Sequence, residues 1–100
     1  MYDMAKLKNI KKLDEGTPET MKAYYAFTKA VFQDGEVSVL NKQLMAVAVG
    51  LTTQCPWCIE IHTQEARKAG ATDAQLAETA VVAAAMRGSA AMAHALLLWG

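Results

Sequence analysis

The last third of the chain, ATDAQLAETAVVAAAMRGSAAMAHALLLWG, is alanine-rich, apolar and almost free of charge, and it sets the fold class. Alanine is the strongest helix former, and these apolar runs are longer than a half-exposed strand needs. Hydrophobic residues make up 53% of the sequence and aromatic residues 7%. The expectation is an all-α, single-domain fold of five to six helices. Small apolar side chains each bury little area, worth about 25 cal/mol per Å². A chain of 100 residues built this way is therefore expected to hide further surface by self-association.

Residues 1–16 read as a lead-in with room for a short helix, and 17–100 as the helical domain. Thr17-Pro18-Glu19 opens the first main helix: a cap former, a first-turn proline and an acid at the positive end. It runs to about Gln33, where Asp34-Gly35 stops it. Ser38 caps a second helix whose stripe of Leu40, Leu44, Val47 and Leu51 is joined by Met45 and Val49. An apolar surface nearly all round marks it as buried and central. The third helix starts at Gln54 or Cys55, takes Pro56 into its first turn and ends at Ala69, with Gly70 as a left-handed stop. Thr72 and Gln75 fit a capping box for the fourth. Gly88-Ser89 is expected to break that helix from a fifth ending near Trp99.

Ten basic and ten acidic residues leave a formal net charge of zero. Nucleic-acid binding needs a basic face and is not expected. Lys6, Lys8, Lys11 and Lys12 cluster, but Asp14 and Glu15 follow, so the stretch reads as a solvated amphipathic segment. No signal peptide is visible, and no apolar run reaches the ~18 residues of a membrane span. The run from Ala90 to Trp99 is too short and carries His94. Two cysteines without an export signal point to a reducing cytoplasm, where a close pair is more often catalytic or metal-binding than structural.

That pair sits in QCPWCIEIH. Cys55, Cys58 and His62 share one face of the third helix, because positions three and four apart are neighbours. The thiolate is the nucleophile, and an ordinary cysteine near pH 7 is only a few per cent thiolate. The helix N-terminus offers up to ~2 kcal/mol to an anion, at most about 1.5 pKa units. The histidine must supply the rest, by accepting the proton or standing beside the sulfur as imidazolium. Cys58, neighbour of His62, is assigned as the attacking sulfur, and Cys55 as the one that resolves a sulfenic acid to the disulfide. Two other readings stay open. Zinc would take Cys55, Cys58 and His62 with His94 as a fourth ligand, although structural zinc sites usually draw two ligand pairs from separate segments. A structural disulfide would close too short a loop to stabilise much.

LMAVAVGLTTQCPWCIEIH, followed by QEARKAGATDAQLAETAVVAAAMRGSAAMAHA, resembles the alkylhydroperoxidase D-like branch of the carboxymuconolactone decarboxylase family. The similarity covers roughly residues 17 to 99. It implies an all-helical fold assembling as trimers or hexamers. It also implies a cofactor-free, metal-free thiol site that reduces hydroperoxides and is recharged by a dithiol donor, such as a lipoyl or thioredoxin-like protein. The family's reactive cysteines match Cys55 and Cys58, and its proton-relay histidine matches His62. The relay glutamate, twelve residues before the first cysteine, is replaced here by Gln43. An amide can orient His62 by hydrogen bonding but cannot take its proton. Glu60 lies about 200° around the helix from Cys58, whereas Glu65 is within reach of His62. Trp57 stands where the peroxidase carries a histidine, and reads as a packing residue or a pocket wall.

The remaining candidates read as structural. His94 is expected to be packed and hydrogen-bonded, Tyr24, Tyr25 and Phe27 to be core or interface, and Met45, Met86 and Met92 to fill gaps. Arg87 suits a helix C-terminus without any ligand. The leading expectation is a thiol peroxidase or disulfide oxidoreductase. The alternatives are a cofactor-free lactone decarboxylase-type lyase and a non-catalytic binding protein.

Overall fold

A computed structural model of the chain describes residues 3–100. A 3-10 segment, Met4–Asn9, leads into α1 (Ile10–Gly16), α2 (Pro18–Val31), α3 (Val39–Thr53), α4 (Pro56–Lys68) and α5 (Asp73–Ala95), closed by a 3-10 turn, Leu96–Leu98. No strand occurs among the described residues.

Most helix ends follow from local side-chain chemistry. The Ser38 hydroxyl accepts from the Asn41 N–H at 3.1 Å and caps α3. Thr72 and Gln75 exchange side chain-to-backbone hydrogen bonds, at 3.1 and 2.9 Å, in a complete capping box for α5. Gly70, at φ +104°, ends α4, with the Ala71 N–H bonded to Ala66 O and the Gly70 N–H to Arg67 O. That double closure satisfies carbonyls the helix would otherwise leave open. Thr17 precedes α2, but its hydroxyl donates back to Leu13 O at 2.8 Å and so closes α1 instead.

The expected break at Gly88-Ser89 is absent: α5 is a single helix through both residues. A mid-helix glycine costs only about 1 kcal/mol against alanine, and the alanine-rich flanks absorb it. Arg87 therefore lies inside α5 rather than at a C-terminus, and its guanidinium donates to the carbonyl of Thr52 at the end of α3. Continuity also makes Asp73–Leu98 long and apolar enough, by length and composition, to cross a membrane, which a helix divided at Gly88 would not be. The central helix of a helical assembly has the same length and composition.

α3 packs against both α4 and α5. Its buried residues, Gln43, Val47 and Gly50, lie on one face, and Ala66 of α4 and Ala83 of α5 complete the core. α3 and α4 form an antiparallel hairpin in close contact. A Cβ at Gly50 would stand 3.3 Å from Cys58 Cβ and 3.4 Å from the Ile59 backbone nitrogen.

Outside this seam the chain buries little. Among the described residues no large side chain is fully buried. The expectation that α3 is buried and central holds for one face only, since Met45 and Val49 are exposed. Tyr24, Tyr25 and Phe27 are not core within the chain, and Met86 and Met92 fill no gap in it. The radius of gyration is 16.6 Å, against about 13 Å for a compact chain of this length. The accessible surface is 7673 Å², against about 5,500 Å² for a folded monomer of this mass.

Candidate active site

The site is built where α3 hands over to α4. Gln54 ends α3 in the left-handed region, at φ 57° and ψ 50°. That reversal leaves Cys55 as the N-cap of α4, its sulfur accepting from the Cys58 N–H at 3.3 Å. Pro56 fits the first turn, where its missing N–H costs nothing. Cys55 and Cys58 are joined by a disulfide across Cα atoms 5.2 Å apart. Both are half-buried.

His62 follows one turn after Cys58 on the same helix, also half-buried. Its Nδ1 lies 2.7 Å from Oε1 of buried Gln43, two helical turns from Gly50 on the buried face of α3. An amide oxygen only accepts, so this bond places the proton on Nδ1 and leaves Nε2 as the basic nitrogen. Phe32, the residue after α2, stacks on the imidazole with ring centroids 5.1 Å apart and planes inclined by 24°. Burial pushes the His62 pKa below its ordinary value, and the Glu65 carboxylate offsets only part of that. Glu65 is half-buried and pairs with Lys68 at 3.1 Å.

The structure thus brings together Cys55 with Cys58, and His62 with Gln43 and the charge of Glu65. Trp57 sits half-buried in the first turn of α4. Glu60 points elsewhere and bonds Gln64. His94 is exposed on α5 rather than packed within the chain. Among the described residues no three histidine, cysteine or acidic side chains converge as a metal site. Two residues were missed in the sequence. Phe32 stands thirty positions before His62, with no pattern linking them. Gly50 sits inside an apolar run where a packing glycine and an incidental one look alike.

A sequence profile described as the carboxymuconolactone decarboxylase family matches residues 18–99. The chain belongs to that family. An uncharacterised protein in the cox locus of Paracoccus denitrificans is 55% identical over 73% of this chain, and an uncharacterised protein of Cupriavidus necator is 36% identical over 76% of it. The matched stretches span about two thirds of those relatives, 66% and 67% of their lengths. Among solved structures, a protein of Methanobacterium thermoautotrophicum superposes with a TM-score of 0.81 at 35% identity, covering 86% of this chain and 97% of its own. An apo carboxymuconolactone decarboxylase family protein of Legionella pneumophila gives 0.75 at 32% identity, covering 80% and 71%. Both likenesses are to chains of the same helical fold, and the family includes enzymes.

Proposed function

We propose that this member of the family is a cysteine-based thiol peroxidase or disulfide oxidoreductase. The observation that carries the reading is the Cys55–Cys58 disulfide at the opening of α4, one turn from the His62 imidazole that Gln43 of α3 orients. In the reduced protein, Nε2 of His62 accepts the Cys58 proton, and the N-terminal end of α4 favours the thiolate formed. The thiolate attacks one oxygen of a hydroperoxide. The O–O bond breaks, Cys58 becomes a sulfenic acid, and the departing alkoxide takes the proton from His62 and leaves as the alcohol. The Cys55 sulfur then attacks Cys58, hydroxide leaves as water with the Cys55 proton, and the disulfide closes. A dithiol donor, lipoyl or thioredoxin-like, returns two electrons and two protons. Gln43 orients the imidazole throughout but stores no proton.

The excess surface supports a homo-oligomer as the working form, and the family resemblance implies a trimer or hexamer. Roughly 2,000 Å² more surface than a compact monomer exposes is ample for stable interfaces. In a cytoplasmic setting the dithiol pool keeps the cysteine pair reduced between turnovers.

One equivalent of peroxide added to the reduced protein should remove two hydrogens by mass, located at the 55–58 disulfide. Cys58→Ser should lose peroxide consumption, and wild-type turnover in that variant sinks the reading. The lyase alternative rests on the family name, and is tested by lactone turnover in a Cys55→Ser/Cys58→Ser protein.

A further inference from the structure

We infer that Phe32 is a positioning residue for His62, its ring a plate that fixes the plane of the imidazole while Gln43 fixes its edge. The inference rests on the redox reading only in taking His62 as the proton acceptor for Cys58. The geometry has three parts. α4 carries the imidazole, α3 supplies Oε1 2.7 Å from Nδ1, and the end of α2 lays a near-parallel ring against its face. A single hydrogen bond leaves an imidazole free to rock about that bond. A flat surface at stacking distance removes the motion and keeps water off one face.

Phe32 is itself held. It closes the last turn of α2, its N–H bonded to Thr28 O at 3.2 Å. The following loop is pinned to α3, by Lys42 Nζ on Gln33 O at 2.6 Å and by the Val39 N–H on Asp34 Oδ1 at 3.0 Å. The plate therefore belongs to the frame of α3, the helix that also carries Gln43. Gln43 and Phe32 are both neutral, and Glu65 is the one charged group that registers on the imidazole. Removing the plate admits water to the ring face, so the imidazole should become easier to protonate.

The test uses full-length protein reduced in a Cys55→Ser background, so that iodoacetamide reports on Cys58 alone. His62 is followed by NMR titration and by the visibility of its Nδ1 proton, which is seen only when shielded from exchange. Phe32→Tyr keeps the flat ring and should match the parent in titration midpoint, proton visibility and alkylation rate. Phe32→Leu keeps apolar bulk but no plate. Its His62 midpoint should rise toward the ordinary value, the Nδ1 proton should broaden away, and Cys58 alkylation near pH 7 should slow about tenfold, a partial loss of the roughly hundredfold or more that a positioned proton acceptor supplies. Phe32→Ala should go further in the same direction. If Ala does not fold, the Leu and Tyr pair decides. A Leu variant with parental midpoint and alkylation rate overturns the inference, whatever its melting temperature, because a mere anchor for α2 would move only the latter. Neither readout involves peroxide, so failure here leaves the peroxidase reading standing, and failure of that reading leaves this one standing.

Discussion

The α3–α4 hairpin and the outer face of α5 have nearly the same raw material and opposite fates. In the hairpin, small residues bring two backbones together. Ala66 is fully buried, Gly50 touches the turn of Cys58, and the one buried polar side chain, Gln43, finds its partner in His62. On α5 only Ala83 is buried, while Val81 and Met92 stand 64% and 73% exposed, and in the 3-10 turn that follows Leu97 reaches 81%. The hairpin pairs its buried polar side chain within the chain. α5 presents an apolar surface that one chain cannot cover, and exposed patches of that kind mark interaction sites. The site and the exposed apolar surface are thus placed on different parts of the molecule, the α3–α4 hairpin and the outer face of α5, and can be perturbed separately.

The largest effect should come from charging the outer face. Val81 and Met92 lie on the side of α5 turned away from α3, so in an isolated chain glutamates there would stay in water and cost little. In an assembly they bury like charges, at several kcal/mol each. Val81→Glu/Met92→Glu should therefore convert the proposed oligomer to monomer in light scattering and lower the melting temperature steeply. An unchanged mass would break the comparison, because α5 would then be an exposed helix with no partner.

Two glycines sharpen it. Gly50→Ala forces a Cβ against backbone and Cys58 at 3.3–3.4 Å, and should cost about 1–3 kcal/mol in denaturant unfolding as α4 shifts. Gly88→Ala meets nothing within 4 Å in mid-helix, and should stabilise by about 0.5–1 kcal/mol. If Gly88→Ala destabilised instead, a neighbouring chain must approach α5 closely there.

Electrostatics of the hairpin should show a smaller effect. His62 is harder to protonate folded than unfolded. The unfolded chain then binds more protons at low pH, so this group's contribution is intact above its ordinary pKa of about 6.5 and is lost as pH falls toward its depressed folded value. Wild type minus His62→Gln in thermal stability should show that loss on acidification. Gln43→Glu puts an opposite charge at hydrogen-bond distance and should raise the His62 midpoint by about one unit or more, reversing the slope. An unmoved midpoint by NMR would mean the side chain at 43 does not face the ring in solution.

The hairpin was legible in the sequence because its signals are local. Ser38, Cys55, Gly70 and Thr72 each act within a turn, and the spacing of Cys58 and His62 needs only a regular helix. Gln43 was placed by the family pattern. What escaped depends on distance or sums. Phe32 meets His62 through a loop whose course no short motif encodes. Gly88-Ser89 looked like a break because a glycine penalty is visible in sequence, whereas the helix-forming alanines around it act only as a total. The methionines were read as gap-fillers, and Tyr24, Tyr25 and Phe27 as core or interface, because the pattern says apolar and does not say which surface an apolar side chain meets. Within the chain Met45, Met86, Met92 and the three aromatic residues are exposed.

The smallest effect lies at the joint between helix pair and site. Gln54 is the one non-glycine residue at positive φ among the described residues, and it turns α3 into Cys55. A side chain in that region costs about 1 kcal/mol, and glycine removes the cost at the expense of a freer unfolded chain. Gln54→Gly should therefore change unfolding free energy by less than about 1 kcal/mol, with stabilisation as the expected sign. The informative readout is the disulfide. Gln54 is exposed, so the substitution removes strain without removing a packed group. If the left-handed turn serves only to start α4, the equilibrium of the 55–58 pair with a dithiol buffer should stay the same. A shifted equilibrium with unchanged stability would mean that the turn is coupled to the redox state of the pair, tying the end of α3 to the chemistry it presents.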